Sequence, residues 1–394
     1  MSIHDDQSLL PLLGARQDFP LFHHRPDILY LNASFQQPLS KPVHVACTSF
    51  LDSHLYEPNP KAAWQEQVEK TRDEVAKLIN APKTAISFSK NTSEAMGMFI
   101  QALRLNKGDN VVILEDEHPN QVYAWLALEN CGIEVRRVPA VECANADTFA
   151  PAVDSRTRVI GLSYVMFHSG QRNDVASITN RFRPQNIEVL VDATQAIGVL
   201  STDSSLLNVS ALAFSCHKAM GTPSGLGVLY VDPAILSSLV PRSIGPFGVL
   251  NLPETFIAGK DTSQLRLDGR RFETGNFNYL AIHALQAYID LINRYGGQAA
   301  IESMLYKLSQ RLIDKMADLG IPTVAKPEQL KRSPHNVVFP LLNPGWPAFF
   351  SSRHVLVSHY RAGTRVSIGI YNNEDDIDRF VGVVKEGMNS IPLN

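Results

Sequence analysis

The sequence predicts an α/β fold in which a mostly parallel sheet of seven strands, with helices on both faces, precedes a smaller α+β domain. From about residue 83 to residue 232, short β-rich runs alternate with helical stretches, a pattern that favours parallel strands joined by helices. Several runs, such as VVIL, VIGL and VLV, are continuously apolar, which is typical of strands buried on both faces. After about residue 235 the alternation ends, so we expect a second domain there.

Local patterns predict the individual elements. Apolar runs predict the strands of the sheet at 85–89, 110–114, 134–139, 158–163, 188–192, 209–215 and 227–231. Between them, helical segments are expected at 92–105, 120–130 and about 174–181. Farther on, the patterns predict helices at 280–294 and 299–319 and strands at 336–340 and 364–370. Asn373, followed by three acidic residues, predicts the start of a last helix from 374 to about 388.

The length and the change of pattern predict the domain organisation. A chain of 394 residues is long enough for two or three domains. We expect residues 1–30 to form an N-terminal segment that packs on the small domain. Residues 31–260 are the expected large domain, and residues 261–394 a linker helix and the small C-terminal domain.

Composition and charge exclude several classes of protein. The 36 basic and 39 acidic residues leave a net charge of −3, which argues against a basic nucleic-acid binder. No apolar run is long enough to cross a bilayer, and the first residues do not resemble a secretory signal. The four cysteines are scattered without a CxxC pair, so neither a metal site nor a disulfide framework is expected. We therefore predict a cytoplasmic protein that binds no membrane.

The residues that follow the predicted strands carry the chemical information, because ligands bind at this edge of a parallel sheet. Thr92 and Ser93 follow the first strand and begin a helix; they could hold a phosphate or serve as an ordinary helix cap. His118 follows the second strand. Its imidazole could stack on a flat cofactor or relay a proton, but a lone histidine is often only a surface or core residue.

Two further strand ends carry charged residues. Asp192 closes the VLVD strand, where it could hold a positive charge or cap the next helix. Lys218 follows the strand that ends at Ser215. Burial there would lower the pKa of the lysine and suit Schiff-base chemistry; the alternative is a turn with a solvent-reaching lysine. Together, a phosphate site, a stacking histidine, an aspartate and a lysine are the groups that pyridoxal phosphate (PLP) requires.

The chain resembles the class V aminotransferase-fold enzymes, which include cysteine desulfurases, selenocysteine lyases, isopenicillin-N-epimerase-like proteins and kynureninases. The resemblance covers about residues 30–386. Its markers are Tyr30–Ser34, Asn91–Ala95, Glu117–Pro119, Asp192–Gln195, Ser215–Lys218, Arg271–Asn276 and Thr364–Ser367. It implies the type I fold of PLP-dependent transferases, PLP as the cofactor, and a homodimer with shared active sites.

The same resemblance implies a role for each matched residue. Lys218 corresponds to the Schiff-base lysine, Asp192 to the partner of the pyridinium nitrogen, and His118 to the stacking histidine. Gln195 lies where relatives contact the ring hydroxyl. The expected phosphate ligands are Thr92, Ser93, Ser215 and His217, with Asn276 reaching the cofactor of the partner subunit. The expected substrate-binding residues are Arg365, which would bind the α-carboxylate, Asn32, Ala33 and Arg172.

Two departures from the family pattern bear on the reaction. Desulfurases that form a persulfide carry a cysteine on a loop before the carboxylate-binding arginine, whereas residues 342–354 contain none. Met166 and Phe167 replace a polar residue that many relatives have near the cofactor, and His168 adds a titratable group. Arg172 is expected either to bind a second acidic group of the substrate or to pair with an acid such as Asp174.

The expected function is β-elimination of the carbon–sulfur lyase type, on a cysteine-like or substituted small amino acid. Transamination and epimerisation are the alternatives within the family, since the cofactor supports all three. An alternative of another class is a cofactor-binding regulatory protein without turnover.

Overall fold

The computed structural model describes residues 14–139, 142–255, 257 and 264–394. The strands within these residues are β1 (Leu29–Tyr30), β2 (Ile86–Ser89), β3 (Asn110–Leu114), β4 (Glu134–Val138), β5 (Thr157–Ser163), β6 (Glu188–Asp192), β7 (Ala211–Ser215), β8 (Gly227–Val231), β9 (Asn336–Phe339), β10 (Val355–Leu356), β11 (Ser358–Tyr360) and β12 (Gly363–Ser367). The helices are α1 (Leu21–His24), α2 (Lys41–Tyr56), α3 (Lys61–Leu78), α4 (Thr92–Ala102), α5 (Pro119–Leu126), α6 (Ala146–Phe149), α7 (Val175–Phe182), α8 (Ser204–Leu207), α9 (Pro233–Leu236), α10 (Tyr279–Arg294), α11 (Gly297–Asp318), α12 (Gly345–Ser352) and α13 (Glu374–Gly387).

The central sheet contains the seven strands that the sequence predicts, in the order β2-β8-β7-β6-β5-β3-β4. β8 runs antiparallel to both of its neighbours, and the other neighbouring pairs are parallel. Every residue of β3, β7 and β8 is buried, which accounts for their apolar sequences. The predicted mostly parallel α/β sheet is confirmed.

The carboxyl ends of β3, β5, β6 and β7 lie at one edge of this sheet because these strands are parallel. Ser163 at the end of β5 is in register with Asp192 at the end of β6. Asp192 is in turn in register with Ala213, two residues before the end of β7. The segments that follow these strands therefore converge at one place, where α/β sheets bind their ligands.

The C-terminal part of the chain contains a second, antiparallel sheet of order β11-β12-β9. α13 begins where the sequence predicts. The Asn373 side chain accepts a hydrogen bond from the Asp376 backbone N–H, and the Asp376 carboxylate accepts one from the Asn373 N–H. This reciprocal cap satisfies two N–H groups that would otherwise lack partners.

The N-terminal segment contacts this C-terminal part. Arg16 forms a 2.8 Å ion pair with Asp376, and the rings of Phe19 and Phe22 pack on Tyr371. β1 pairs with β10 in parallel. Residues 1–13 of the predicted segment, and the predicted boundary at residues 260 and 261, lie outside the described residues. The predicted division into domains stays a prediction.

Some predicted boundaries were wrong. α4 ends at Ala102, three residues early, because Leu103 adopts an extended backbone. α5 begins at Pro119 and ends at Leu126, because His118 caps its first turn and a short 3₁₀ turn follows it. The patterns did not predict α2, since Val43 is its one fully buried residue and it therefore lacks an apolar stripe. None of the helices described is both long and apolar enough to span a membrane.

Candidate active site

A small pocket lies at the carboxyl edge of the central sheet. It brings together four residues that the sequence predicted, namely Lys218, Asp192, Gln195 and His118. The other lining residues are Asn120, Ser163, Val165, Phe167 and Thr194. The pocket therefore combines a lysine, a carboxylate, an amide and an imidazole from segments that are far apart in the chain.

Lys218 lies in the turn after β7 and lines the pocket. Burial lowers the pKa of its ammonium group to about 8; Asp192 opposes this shift and Arg365 adds to it. Among the described residues, Nζ has no hydrogen-bond or ion-pair partner. The turn requires glycine at 221, where φ is +58° and a Cβ would lie 2.3 Å from the Tyr288 ring.

Two buried carboxyl groups lie at this edge of the sheet. Asp192 Oδ1 accepts a hydrogen bond from the Thr194 N–H at 2.9 Å. Glu117 accepts two from Ser163, one from its N–H at 2.6 Å and one from its Oγ at 2.5 Å. Burial raises the pKa of Glu117 to about 7, and the negative charge of Asp192 contributes to the increase. A carboxylate in such a site favours a cation bound next to it.

Three hydroxyl groups cluster where α4 begins. Thr92 Oγ1 lies 2.8 Å from Thr194 Oγ1 and 2.5 Å from Ser215 Oγ. Beside them, Ser93 Oγ donates to Asn120 Oδ1 at 2.6 Å. Hydroxyls together with the amides of a helix N-terminus suit a bound anion such as phosphate.

His118 both caps a helix and lines the pocket. Its Nδ1 accepts a hydrogen bond from the Asn120 N–H at 3.2 Å and so caps α5. The imidazole also lines the pocket and meets the Phe167 ring edge-on, with 4.9 Å between the ring centres. Burial lowers the pKa of His118, against the opposing charge of Asp192, which favours the neutral ring.

Arg365 lies on β12 and is 1% exposed. Its Nη1 donates to the Phe167 carbonyl oxygen at 2.9 Å and its Nη2 to Ser358 Oγ at 3.4 Å. The guanidinium carbon lies 4.8 Å from the centre of the Tyr360 ring. Burial lowers the pKa of Arg365 to about 10. Nε is buried and has no hydrogen-bond partner within the described chain.

Asn32 and Ala33 are linked to this arginine by hydrogen bonds with residues next to it. Asn32 Oδ1 accepts a 2.6 Å hydrogen bond from Ser358 Oγ, the same oxygen that Arg365 contacts. The Ala33 N–H donates to the Ser367 carbonyl oxygen, two residues beyond Arg365 on β12. The structure thus brings both residues close to the predicted carboxylate site.

Three other predicted residues, like the predicted hydroxyl ligands of the phosphate and the arginine described above, are not among those that line the pocket. Arg172 donates to the Tyr164 hydroxyl at 3.2 Å, and Asp174 instead caps α7. His217, next to Lys218, is partly buried, and burial lowers its pKa. Asn276 is exposed in a separate cavity of about 700 Å³, which Ser93 also lines.

The sequence patterns did not assign a role to several residues that shape the site. Glu117 and Thr194 lie inside motifs that were recognised, so their position next to His118 and Asp192 was the available signal. Ser358 and Asn336 carried no local signal, because they lie on strands of the second sheet and reach the site only once that sheet packs against the first.

Comparisons with known proteins agree with this architecture. The family model described as aminotransferase class-V matches residues 53–380. An uncharacterized protein of Schizosaccharomyces pombe is 43% identical over 98% of this chain and 90% of its own length. A probable cysteine desulfurase of Methanothermobacter thermautotrophicus is 30% identical over 92% of this chain and 94% of its own length.

Solved structures show the same fold. The apo cysteine desulfurase of Thermococcus onnurineus superposes with a TM-score of 0.84 at 23% identity, covering 96% of this chain and 98% of that one. The cystine C–S lyase C-DES, in complex with its product cysteine persulfide, gives 0.83 at 21% identity, covering 92% and 98%. The predicted type I fold is thereby confirmed. Because the family model covers most of the chain and the strand-end residues occupy one pocket, the chain belongs to the aminotransferase class-V family.

Proposed function

We propose that this protein is a PLP-dependent enzyme that cleaves the carbon–sulfur bond of a cysteine-derived amino acid by β-elimination. The residues of the pocket fit the cofactor. Lys218 has no polar partner of its own, and the buried Nε of Arg365 lacks an acceptor. Unsatisfied buried donors are costly, so a bound carboxylate would account for Arg365, and the unpaired Nζ of Lys218 can bind an electrophilic carbon.

Six of the predicted residues would hold PLP. Lys218 would bind its aldehyde carbon and Asp192 its ring nitrogen, while His118 would stack on the ring. The hydroxyls of Thr92, Ser93 and Ser215 would bind the phosphate. When bound, PLP draws electron density from the α-carbon of an amino acid, so bonds at that carbon and the next one break more easily.

The protein's own groups supply binding and proton transfer. Arg365 would bind the substrate carboxylate, since a guanidinium pairs with a carboxylate through two parallel hydrogen bonds. Lys218 is suited to take the α-proton on Nζ, because a pKa of about 8 leaves a useful fraction of neutral amine near neutral pH. Nζ can return a proton to the departing sulfur.

The absence of a thiol from the pocket argues against sulfur transfer to a cysteine of the protein. None of the four cysteines, all within the described residues, lines it. Cys216 is fully buried, with the pKa of its thiol raised by that burial. Cys143 Sγ donates to the Arg172 carbonyl oxygen at 2.8 Å. Sulfur therefore has no protein acceptor and leaves as sulfide, a thiol or a persulfide, depending on the substrate. The C-DES complex contains a product of the last kind, cysteine persulfide.

The test supplies PLP-loaded protein with cysteine, cystine or an S-alkyl cysteine and measures the products. We expect pyruvate and ammonia in equal amounts, together with one sulfide, persulfide or thiol per turnover, because the enamine that remains after C–S cleavage, 2-aminoacrylate, takes up one water and gives one pyruvate and one ammonia. Lys218→Ala should lose this activity by at least about 1,000-fold, as a missing base does in enzymes generally. Conversion of the cofactor to its amine form without pyruvate would make the protein an aminotransferase instead.

We also propose a homodimer in the cytoplasm, with each site completed by the partner subunit. The exposed position of Asn276 in the cavity that includes Ser93 supports this assembly. Asn276 does not line the Lys218 pocket of its own subunit, yet it lines the same cavity as Ser93, a predicted phosphate ligand. The substrate is expected to be a small amino acid.

A further inference from the structure

A buried chain of hydrogen bonds leads from the second sheet to Gln195 in the pocket. Gln195 Nε2 donates to the Ser34 carbonyl oxygen at 3.2 Å, and Gln195 Oε1 accepts from Asn336 Nδ2 at 3.3 Å. Ser34 Oγ donates to Asn336 Oδ1. The three residues are at most 5% exposed, so water does not compete for these contacts.

The chemistry of the donors and acceptors fixes the orientation of both amides. A backbone carbonyl can only accept, so the Gln195 atom that faces Ser34 must be the NH₂ group. Gln195 Oε1 therefore faces Asn336 and requires the NH₂ group of that residue. Asn336 Oδ1 is then directed at the Ser34 hydroxyl, whose hydrogen it receives.

The same logic continues to His335. Its Nε2 lies 2.8 Å from Ser34 Oγ, and because the Ser34 hydrogen is already donated, the imidazole must donate through Nε2. Its Nδ1, 2.9 Å from Ser333 Oγ, is then the acceptor. Burial and the positive charge of Arg365 lower the pKa of His335 to about 3, which agrees with a neutral ring of this tautomer.

We propose that Asn336 is a positioning residue that holds the Gln195 amide with one N–H directed toward the cofactor's ring oxygen. Gln195 has two N–H groups, and the described chain provides a partner for one of them, the Ser34 carbonyl. The other is available in the pocket that Gln195 lines. This inference rests on the proposed function.

The same hydrogen bonds also connect the pocket that Gln195 lines with the proposed substrate site at Arg365. The Ser34 N–H donates to Ser367 Oγ at 3.0 Å, and Ser367 lies two residues from Arg365 on β12. Asn336 lies opposite Ser367 on β9. The strand that carries the substrate arginine therefore also anchors the residues that orient Gln195.

The test is a pH titration of the visible absorbance of PLP-loaded Asn336→Asp. The new oxygen faces Gln195 Oε1 in place of an NH₂ group, so the hydrogen bond that holds the amide is replaced by repulsion and its N–H is no longer held toward the pocket. Losing this donor leaves more negative charge on the cofactor's ring oxygen. That charge would hold more tightly the proton on the nitrogen that joins Lys218 to the cofactor, which is the proton that the titration follows. We expect the midpoint to rise by about one pH unit, the usual effect of one hydrogen bond to a charged group.

Further variants separate orientation from general damage. Asn336→Leu and Gln195→Leu should each give the same upward shift, and their combination should add nothing if Asn336 acts through Gln195. Asn372→Asp is the matched control. Asn372 is a buried amide that donates to the Tyr30 carbonyl oxygen and is not part of the hydrogen-bond chain that leads to Gln195. It should lower the melting temperature and leave the midpoint unchanged.

The outcomes distinguish the two proposals. An unchanged midpoint in Asn336→Asp, with a shift in Gln195→Leu, overturns the positioning role and leaves the proposed function intact. Additive shifts in the double variant overturn it too. A wild-type protein that takes up no PLP overturns both.

Discussion

Lys218, Glu117 and Arg365 each lie where burial changes the protonation equilibrium of a charged group. The pKa falls to about 8 for the lysine and to about 10 for the arginine, and it rises to about 7 for the glutamic acid. In each case desolvation is the main cause, and it favours the uncharged form. Lys218 lines the pocket, and Glu117 and Arg365 form hydrogen bonds with two of its other lining residues. Titratable groups shifted in this way around one pocket are typical of catalytic sites.

The lowered pKa of Lys218 can be detected without measuring enzyme activity. In the PLP-free protein, we expect acylation of Lys218 by an amine-selective reagent to rise with pH to a plateau, with a midpoint near pH 8. The reason is that only the neutral amine reacts, and it predominates above the pKa. Mass spectrometry of the Lys218 peptide measures this, with Lys77 as an internal control, since Asp73 and Glu74 raise the pKa of Lys77. Identical pH profiles for the two lysines would contradict the prediction.

At the level of elements, a buried ion pair joins α3 to the segment that leads to Asn276. Arg72 Nη1 lies 2.6 Å from Glu273 Oε1, and both side chains are 2% exposed. Glu273 also accepts from the Phe88 N–H of β2 at 2.8 Å. Burial keeps the pKa of Glu273 above its ordinary value despite the arginine. The carboxylate therefore depends on Arg72 for its charged state.

Removal of one partner should destabilise the protein more than removal of both. We expect Arg72→Met to lower the free energy of unfolding by about 3 kcal/mol, because Glu273 is left buried without a counter-charge. Arg72→Met with Glu273→Leu should recover part of this loss. Urea unfolding followed by circular dichroism gives both values. A double variant less stable than the single one would show that the pair does more than balance charge.

At the scale of the whole molecule, the proposed homodimer has a specific consequence for mixed subunits. Asn276→Glu places a carboxylate where a phosphate is expected, and Lys218→Ala removes the lysine, so each variant alone should be inactive. Coexpression should restore activity, because a mixed dimer contains one site with both Lys218 and Asn276. Recovery is measured as pyruvate formation after purification through two different tags. No recovery in a confirmed mixed dimer would mean that each subunit holds a complete site.

The local sequence determined the seven strands of the central sheet and the residues at their ends. Each strand is a short apolar run next to a polar segment, and parallel strands must place those segments at one edge. His118, Asp192 and Lys218 could therefore be assigned to one site in advance. The patterns missed α2, whose one fully buried residue is Val43, because a helix without an apolar stripe has no periodic signal.

Only the tertiary structure decided which distant residues support that site. Gln195 and Asn336 are 141 positions apart. Asn32 is connected to Arg365 through Ser358, which lies 326 positions after Asn32. Arg172 contacts the Tyr164 hydroxyl, a partner that the local sequence did not indicate. Burial, hydrogen-bond partners and pKa values depend on contacts between segments that fold together, and a local pattern contains no information about those contacts.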